Sequence, residues 1–140
     1  MYEFFISNSI NLAVDHAYIA ALHTEGIVEI KKTQVTSSGL RISVEEDGRE
    51  LGHCYIYLIR NDLHNQPYAL LEDVYVNEED RGKGVGTLLV TKAIETAREL
   101  GCYKIIATSR FGRDEVHKWY EKLGFKLYGY EFRINLTDSH

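Results

Sequence analysis

The sequence lacks the features that are typical of membrane, secreted and metal-binding proteins. No run approaches the ~20 apolar residues that a membrane span needs, and no basic segment followed by an apolar one marks a secretory signal. The only two cysteines, Cys54 and Cys102, have neither CxxC spacing nor a His-rich neighbourhood. We therefore expect no membrane partner and no metal, and we expect both cysteines to be reduced and half-buried in strands of a cytoplasmic protein.

Basic residues are also too few for a protein whose main partner is nucleic acid. Lys and Arg number 16 against 21 Asp and Glu, which gives a formal net charge of −5, whereas binding to phosphates requires a basic surface. The acidic balance mildly favours a cationic substrate. With 140 residues, 44% of them hydrophobic and 26% charged, the chain is expected to fold as a single globular domain over residues 1–140.

Three glycines at alternate positions mark the most informative stretch. Residues 72–76 are typical of the end of a β-strand, and the polar residues after them are turn-prone. Gly82, Gly84 and Gly86 follow, and from Val85 to Leu100 the apolar residues recur with the helical period of 3.6. The residues predicted on one face of this helix are Val85, Leu88, Leu89, Ala93, Ile94, Ala97 and Leu100. The first N–H groups of a helix have no intrahelical partner, and glycines let an oxyanion approach the backbone. The stretch predicts a phosphate-binding turn; the alternative is a helix start with glycines for a tight turn.

The letters exclude two familiar phosphate-binding loops. A P-loop needs a lysine after its last glycine, but Lys83 lies between the glycines. The dinucleotide fingerprint needs its third glycine at a position that Thr87 occupies. Neither motif therefore explains the turn.

A different motif fits in both of its parts. Arg81, Gly84 and Gly86 form Arg-x-x-Gly-x-Gly after Leu-Glu-Asp-Val-Tyr-Val at 71–76, and this closely resembles the acetyl-CoA signature of the GCN5-related N-acetyltransferases, the GNAT family. Residues 109–125 resemble the later motif of the family, an aromatic-Tyr pair four residues before Gly-Phe. Two motifs in the expected order are much more specific than either one alone.

The resemblance, which covers about residues 40–134, implies a mixed α/β fold. The family has a mixed, mostly antiparallel sheet with a central parallel pair and helices on both faces. The strands before and after the glycine-turn helix splay apart, and the pantetheine arm of acetyl-CoA lies between them, paired with backbone like an added strand. The residues so assigned to acetyl-CoA are Val74, Tyr75, Val76, Arg81, Gly82, Lys83, Gly84, Val85, Gly86, Thr87 and Arg113.

The resemblance also assigns two catalytic residues. Tyr120 aligns with the tyrosine that protonates the coenzyme A thiolate, and the alternative is an ordinary core tyrosine. Glu72 is the candidate general base; it could instead be a solvated charge or bind the amine electrostatically. Asp73 should point to the other face of the strand unless a bulge re-aims it. Where Arg113 stands, family members often have Asn, so this arginine reaches cofactor phosphate or only covers the surface.

The resemblance implies acetyl transfer from acetyl-CoA directly to a primary amine, without a covalent enzyme intermediate. We expect a small cationic acceptor, such as a polyamine-like, aminosugar or amino-acid-derived compound. A protein N-terminus or lysine is the alternative acceptor, and a non-catalytic acetyl-CoA-binding module is the alternative function. Homodimerisation is left open.

Hydrophobic patterns predict the remaining elements. Asp47-Gly48 predicts a hairpin turn, and residues 27–32 fit either a short helix or an edge strand, of which the resemblance favours the helix. Strands are predicted at 2–6, 40–45, 52–59, 68–76, 103–108 and 125–132, and helices at 10–23, 85–100 and 114–123.

Overall fold

A computed structural model gives the structure of the protein and describes Gly26 and residues 28–137. Thr36–His140 form one compact unit, separate from Met1–Val35. The strand and the helix that are expected before residue 24 lie outside the described residues, and the single domain stays a prediction.

Four strands form one mixed sheet. The first two pairs along the sheet are antiparallel and the last pair is parallel. This confirms the predicted mixed, mostly antiparallel sheet, with its parallel pair at one edge of the described sheet. The strands lie in chain order: β1 (Ser38–Glu46), β2 (Arg49–Ile59), β3 (Tyr68–Val76) and β4 (Ile105–Ala107).

The turn between β1 and β2 has the predicted Asp-Gly chemistry. Glu46 pairs with Arg49 across a two-residue loop. Asp47 and Gly48 in this loop have φ of 50° and 77°, and positive φ at both positions is the type I′ geometry that suits the twist of a hairpin. The turn places Arg49 at the start of β2, where the site described below uses it.

The core lies between the sheet and helix α1 (Val85–Glu99). In β2, Cys54 and Ile56 are fully buried, because residues two positions apart in a strand lie on the same face. Leu88 was predicted on the buried face of α1 but is 59% exposed, because at 100° per residue it lies on the side away from the residues that are buried. Those buried residues are Val85, Leu89, Val90, Ala93 and Ala97.

Helix α2 (Asp114–Lys122) brings the second motif to the same core. Gly124, at φ 98°, follows the helix end. Trp119, Tyr120 and Phe125 are partly buried against the core cluster. Neither α1 nor α2 combines the length and apolar content that a membrane span requires, and they are the α-helices of the described residues.

Three expectations about local structure are wrong. Residues 28–32 form no helix; Ile30 is exposed, and so short a helix is marginal without a packed face. Residues 125–132 form no strand, since a strand requires a hydrogen-bonded neighbour and the described chain places none beside them. Cys102 precedes β4 rather than lying in it, and Cys54 is fully buried rather than half-buried.

Candidate active site

The edge of β3 opens beside the glycine turn. Pairing between β3 and β4 ends at Leu71 opposite Ala107. Beyond that point, residues 72–76 have a strand neighbour on the β2 side only, within the described part of the sheet. Their open edge includes the backbone of Val74 and Tyr75, which the sequence assigns to acetyl-CoA. Such an edge can accept an added strand or a ligand of similar shape.

A β-bulge interrupts β3 at this edge. Tyr55 pairs with Glu72, but His53 pairs with Tyr75, so the register shifts between them. Asp73 lies in the extra position with φ 47°, in the left-handed region that non-glycine residues rarely adopt. The bulge directs the Asp73 carboxylate to His53, with Oδ2 3.0 Å from Nε2. The re-aiming of Asp73 that sequence reasoning made conditional on a bulge therefore occurs.

The glycine turn leads into the N-terminus of α1. Gly82 and Gly84 have φ of 75° and 87°, which non-glycine residues adopt only with strain. Gly84 is the N-cap of α1, and no side chain caps the helix there. The first N–H groups of α1, from Val85 to Thr87, therefore remain available to an anion. This geometry fits a pyrophosphate.

One aromatic side chain, Trp119, and one cationic side chain, Arg81, border the turn. Trp119 Nε1 donates to Thr87 Oγ1 at 3.0 Å, and a Cβ on Gly86 would lie 3.4 Å from the Trp119 ring. Arg81 Nε donates to the Val76 carbonyl at 3.0 Å. The Val76 carbonyl is thus already bonded by Arg81, although the resemblance assigns both residues to acetyl-CoA.

A buried carboxylate fixes the turn to the β1–β2 hairpin. Asp80 is only 2% exposed and accepts from Arg49 Nη1 at 2.7 Å and Nη2 at 3.0 Å. Lys83 Nζ lies 3.4 Å from its Oδ1. Hydrogen bonds from Arg49, and then from Lys83, lower the pKa of Asp80 to about 2. Part of the charge of Lys83 is therefore already balanced by Asp80 within the turn.

Both predicted catalytic residues lie near this opening. Tyr120 on α2 is half-buried, with its ring 4.9 Å from Trp119 and 5.1 Å from Phe125. Burial, then the nearby Cys54 and Glu72, raise the pKa of Tyr120, against a lowering by Arg113. The phenol thus keeps its proton at neutral pH. Glu72 is exposed at the last residue before the bulge, within electrostatic range of the phenol.

A polar network beside the bulge was not visible in the sequence. Arg41 donates from Nη1 and Nη2 to Glu50 at 2.8 and 2.7 Å, and its Nε donates to Tyr55 Oη at 3.1 Å. His53 Nδ1 lies 2.9 Å from Glu50 Oε1, and its Nε2 faces Asp73. Hydrogen bonds from Arg41, then His53, lower the pKa of Glu50 to about 2. The alternation of β1 and β2 was the one signal that could have placed Arg41, His53 and Tyr55 on a common face.

The remaining side chains to be placed are Cys54, His117 and Arg113. Burial raises the pKa of the Cys54 thiol to about 11, which makes it a poor nucleophile. His117 bonds through Nε2 to the Arg110 carbonyl at 3.0 Å. Arg113 is the N-cap residue of α2 and lines a surface depression of about 420 Å³. Within residues 28–137, no three His, Cys, Asp or Glu side chains cluster as metal ligands would.

Comparison with known proteins identifies relatives for most of the chain. Residues 9–125 match the model of the Acetyltransferase (GNAT) family. Over 98 residues the chain is 38% identical to the probable glucosamine 6-phosphate N-acetyltransferase of Drosophila melanogaster, which covers 66% of this chain and 43% of that protein. Over 66 residues it is 38% identical to the glucosamine 6-phosphate N-acetyltransferase of Trypanosoma brucei brucei, covering 47% of this chain and 43% of the relative. The chain thus spans less than half the length of these relatives.

A solved structure supports the fold. The crystal structure of glucosamine-6-phosphate N-acetyltransferase from Arabidopsis thaliana matches with a TM-score of 0.65 at 19% identity, covering 94% of this chain and 83% of that one. At this identity the likeness concerns the fold alone.

Proposed function

Because the chain belongs to the GNAT acetyltransferase family, we propose that it transfers the acetyl group of acetyl-CoA to a primary amine. The observation that carries the proposal is the opening between β3 and the glycine turn. A strand edge without a neighbour among the described strands and an uncapped helix N-terminus border this opening, and Glu72 lies within electrostatic range of Tyr120 there. Acetyl-CoA supplies the activated acyl group, and the residues around it hold it, receive the proton of the amine and return a proton to the thiolate.

Two parts of the opening fit two parts of acetyl-CoA, the pantetheine arm and the pyrophosphate. The open β3 edge at Val74 and Tyr75 suits the amide-rich pantetheine arm. The turn from Arg81 to Thr87 suits the pyrophosphate, since N–H groups and the helix dipole favour negative charge there. Arg113 would add a cation at the α2 end of the opening.

The reaction needs a base and an acid at neighbouring positions. Glu72 would take one proton from the substrate ammonium, directly or through water, and the neutral amine nitrogen would then attack the thioester carbonyl. The second proton that this nitrogen loses as the amide forms would restore the Tyr120 phenol through water. Tyr120 would give its proton to the sulfur as the carbon–sulfur bond breaks. Its raised pKa keeps that proton available at neutral pH, and general acid–base catalysis of this kind contributes roughly 10²–10⁴-fold.

We further propose a small amine as the acceptor, with an amino sugar as the first candidate. The bulge presents two adjacent carboxylates, Glu72 and Asp73, which would attract an ammonium group. The curated relatives named above act, by their names, on glucosamine 6-phosphate, an amine that also carries a phosphate. A protein N-terminus or lysine remains the alternative acceptor, a non-catalytic module the alternative function, and a cytoplasmic location part of the proposal.

An amine panel tests the proposal. Release of free thiol from acetyl-CoA is measured with glucosamine 6-phosphate, glucosamine, spermidine and a lysine-containing peptide. Thiol release with a small amine but not with the peptide is the expected result, and a peptide preference would select the alternative acceptor. Binding of acetyl-CoA without release for any amine would point to the non-catalytic module.

A matched pair of variants tests the base. Glu72→Gln should lower turnover by roughly 10²–10⁴-fold, most strongly at acidic pH, where removal of the ammonium proton limits the rate. Glu45→Gln, at an exposed carboxylate of β1, should leave turnover unchanged. Full activity of Glu72→Gln across the pH range would exclude Glu72 as the base.

A further inference from the structure

Asp73 has a backbone conformation that its place in a strand does not explain. Its φ of 47° lies in the left-handed region, which a non-glycine residue rarely adopts. Asp47 is the other non-glycine residue with positive φ in the described part of the chain, and there the two-residue hairpin loop requires it. Asp73 lies instead within β3, between residues that pair with β2. Because such a conformation persists only where the surroundings hold it, a neighbouring contact must hold Asp73.

The contact that holds Asp73 comes from His53. Nε2 of His53 lies 3.0 Å from Asp73 Oδ2, and Nδ1 lies 2.9 Å from Glu50 Oε1. The centre of the imidazole ring also lies 5.4 Å from that of Tyr75 and 5.9 Å from that of Tyr55, and only 19% of the side chain is exposed. The ring therefore cannot turn away from Asp73 without losing Glu50 and its aromatic packing.

Glu50 is itself fixed, so the support of Asp73 reaches back to β1. Arg41 donates to both carboxylate oxygens of Glu50, and a two-bond pair of this kind holds both partners in one orientation. Carboxylates accept hydrogen bonds and do not donate them, so the imidazole bonds Glu50 and Asp73 together when both of its nitrogens carry hydrogen. Arg41, Glu50 and His53 thus form a support on β1 and β2 for one residue of β3.

The alternation of β3 after the bulge determines which backbone groups face the opening. Asn77 N–H donates to the Leu51 carbonyl at 2.9 Å, and successive residues of an antiparallel pair turn their groups alternately toward and away from the partner strand. Val74 and Val76 therefore turn their N–H and C=O groups to the open edge, where the Val76 carbonyl already accepts from Arg81. Val74 offers both of its groups to the pantetheine amides of the proposed function.

Removing the bulge would reverse this orientation. Tyr55 pairs with Glu72, so in a regular antiparallel pair His53 would lie opposite Val74. In the structure His53 lies opposite Tyr75 instead, because the extra residue shifts the end of β3 by one position. A shift of one residue reverses the alternation. Without the bulge, Val74 would therefore take the position that faces β2.

We propose that His53 is a positioning residue for the acyl donor: by holding Asp73 in the bulge, it keeps the backbone of Val74 directed at the opening. The inference rests on the proposed use of acetyl-CoA, and in it His53 acts through the strand rather than on the ligand. The glycine turn is fixed separately, by the bonds of Asp80 to Arg49. Loss of the support should therefore weaken binding of the pantetheine arm and leave binding of the pyrophosphate unchanged.

Two substitutions separate the two contacts of the ring. In His53→Gln the amide nitrogen reaches the place of Nε2 and can donate to Asp73, whereas in His53→Asn it reaches only the place of Nδ1 and can donate to Glu50. Calorimetric titration should show that His53→Asn raises the dissociation constant of acetyl-CoA about tenfold or more, since a hydrogen bond to a charged group is lost. His53→Gln should keep the constant within about threefold of the original. The fragment 3′-phospho-ADP, which carries the pyrophosphate without the pantetheine arm, should bind all three chains alike.

A rescue and a control complete the titrations. Asp73→Gly removes the need for the support, because glycine adopts positive φ without strain. Adding Asp73→Gly to His53→Asn should therefore return the dissociation constant of acetyl-CoA to within about threefold of the original. His64→Asn makes the same change at an exposed histidine between β2 and β3, where the ring packs 4.1 Å from Tyr103, and should leave the constant unchanged.

Hydrogen exchange of the amides of residues 72–76 in the ligand-free chain tests the support without any ligand. Exchange in His53→Asn should be about tenfold faster than in His53→Gln, and melting curves check that both variants fold. Equal exchange in the two variants would overturn the proposal. So would unchanged acetyl-CoA binding in His53→Asn, an equal loss for 3′-phospho-ADP, or no rescue by Asp73→Gly. If the original chain binds no acetyl-CoA, the proposed function fails, and the exchange comparison decides by itself whether His53 holds the bulge.

Discussion

Gly52 is the position where one added methyl group should damage both stability and ligand binding. A Cβ there would lie 2.5 Å from the Tyr75 carbonyl oxygen and 3.2 Å from both Val76 Cα and Val85 Cγ1. Two of these three atoms are backbone, so no rotamer change relieves the contact. Overpacking of this kind costs about 1–3 kcal/mol, and each kcal/mol lowers the Tm of a chain of this size by about 4 °C. Gly52→Ala should therefore lower the Tm by about 4–12 °C.

The same substitution should weaken acetyl-CoA binding, because β3 can relieve the clash only by moving Tyr75 and Val76 at the open edge. The increase in Tm that saturating acetyl-CoA produces should shrink in Gly52→Ala relative to the original chain. Thermal melts with and without ligand measure both effects.

Gly39→Ala provides the control. Its Cβ would lie 2.7 Å from Cδ1 of Tyr57 and 3.1 Å from the Ile56 carbonyl oxygen. The Tyr57 ring is partly exposed and can turn away, which leaves one backbone contact, longer than the 2.5 Å contact at Gly52. Its Tm should change by a few degrees at most, with the ligand response intact. A Gly52→Ala variant that melts and responds like the original chain, or a larger loss in Gly39→Ala, would refute the reasoning.

Three further substitutions address the acid, the turn and its anchor. Tyr120→Phe should lower turnover by roughly 10²–10⁴-fold with little change in acetyl-CoA affinity or Tm; retained turnover would make Tyr120 a core residue only. Gly84→Val should abolish the Tm increase produced by millimolar acetyl-CoA, because a β-branched residue disfavours φ 87° and its side chain blocks the approach to the backbone. An unchanged increase would contradict the proposed cradle, the pyrophosphate-binding turn from Arg81 to Thr87. Asp80→Asn should lower the Tm at pH 7, and the difference should shrink as the pH falls from about 4 to about 2. The folded pKa of Asp80 of about 2 lies below the ordinary value of 3.8, so the carboxylate gives stability that is present above the unfolded pKa and lost as the pH falls through the folded pKa. A difference independent of pH would exclude the ion pair as its cause.

The sequence predicted the features that depend on residues a few positions apart: the hairpin turn, the glycine turn and most of the buried face of α1. Asp47-Gly48 specifies its turn through backbone preference alone, and the glycines at 82 and 84 do the same for the cradle. The helical period of α1 predicted most of its buried face, and Val90 was missed because it borders that face. Each of these features depends on residues a few positions apart.

The remainder depends on partners distant in sequence. The bond between Arg49 and Asp80 joins residues 31 positions apart, and neither residue type indicates the other. The bulge at Asp73 is likewise set by pairing with β2 rather than by any turn residue. The sequence therefore predicts where Asp73 would point if a bulge formed, but it does not predict the bulge. Residues 125–132 show the converse error: their alternation predicts a strand, but a strand forms only where a neighbour supplies hydrogen bonds, and the described chain supplies none there.

The bond from Trp119 to Thr87 has a practical consequence. Trp119 is the only tryptophan of the chain, and its indole N–H is engaged with the first turn of α1, next to the cradle. Intrinsic fluorescence excited at the indole band therefore reports from a single known position, with no label and no engineered probe. A ligand that enters the cradle changes the polarity around one ring, so a titration of the emission reads occupancy of this turn.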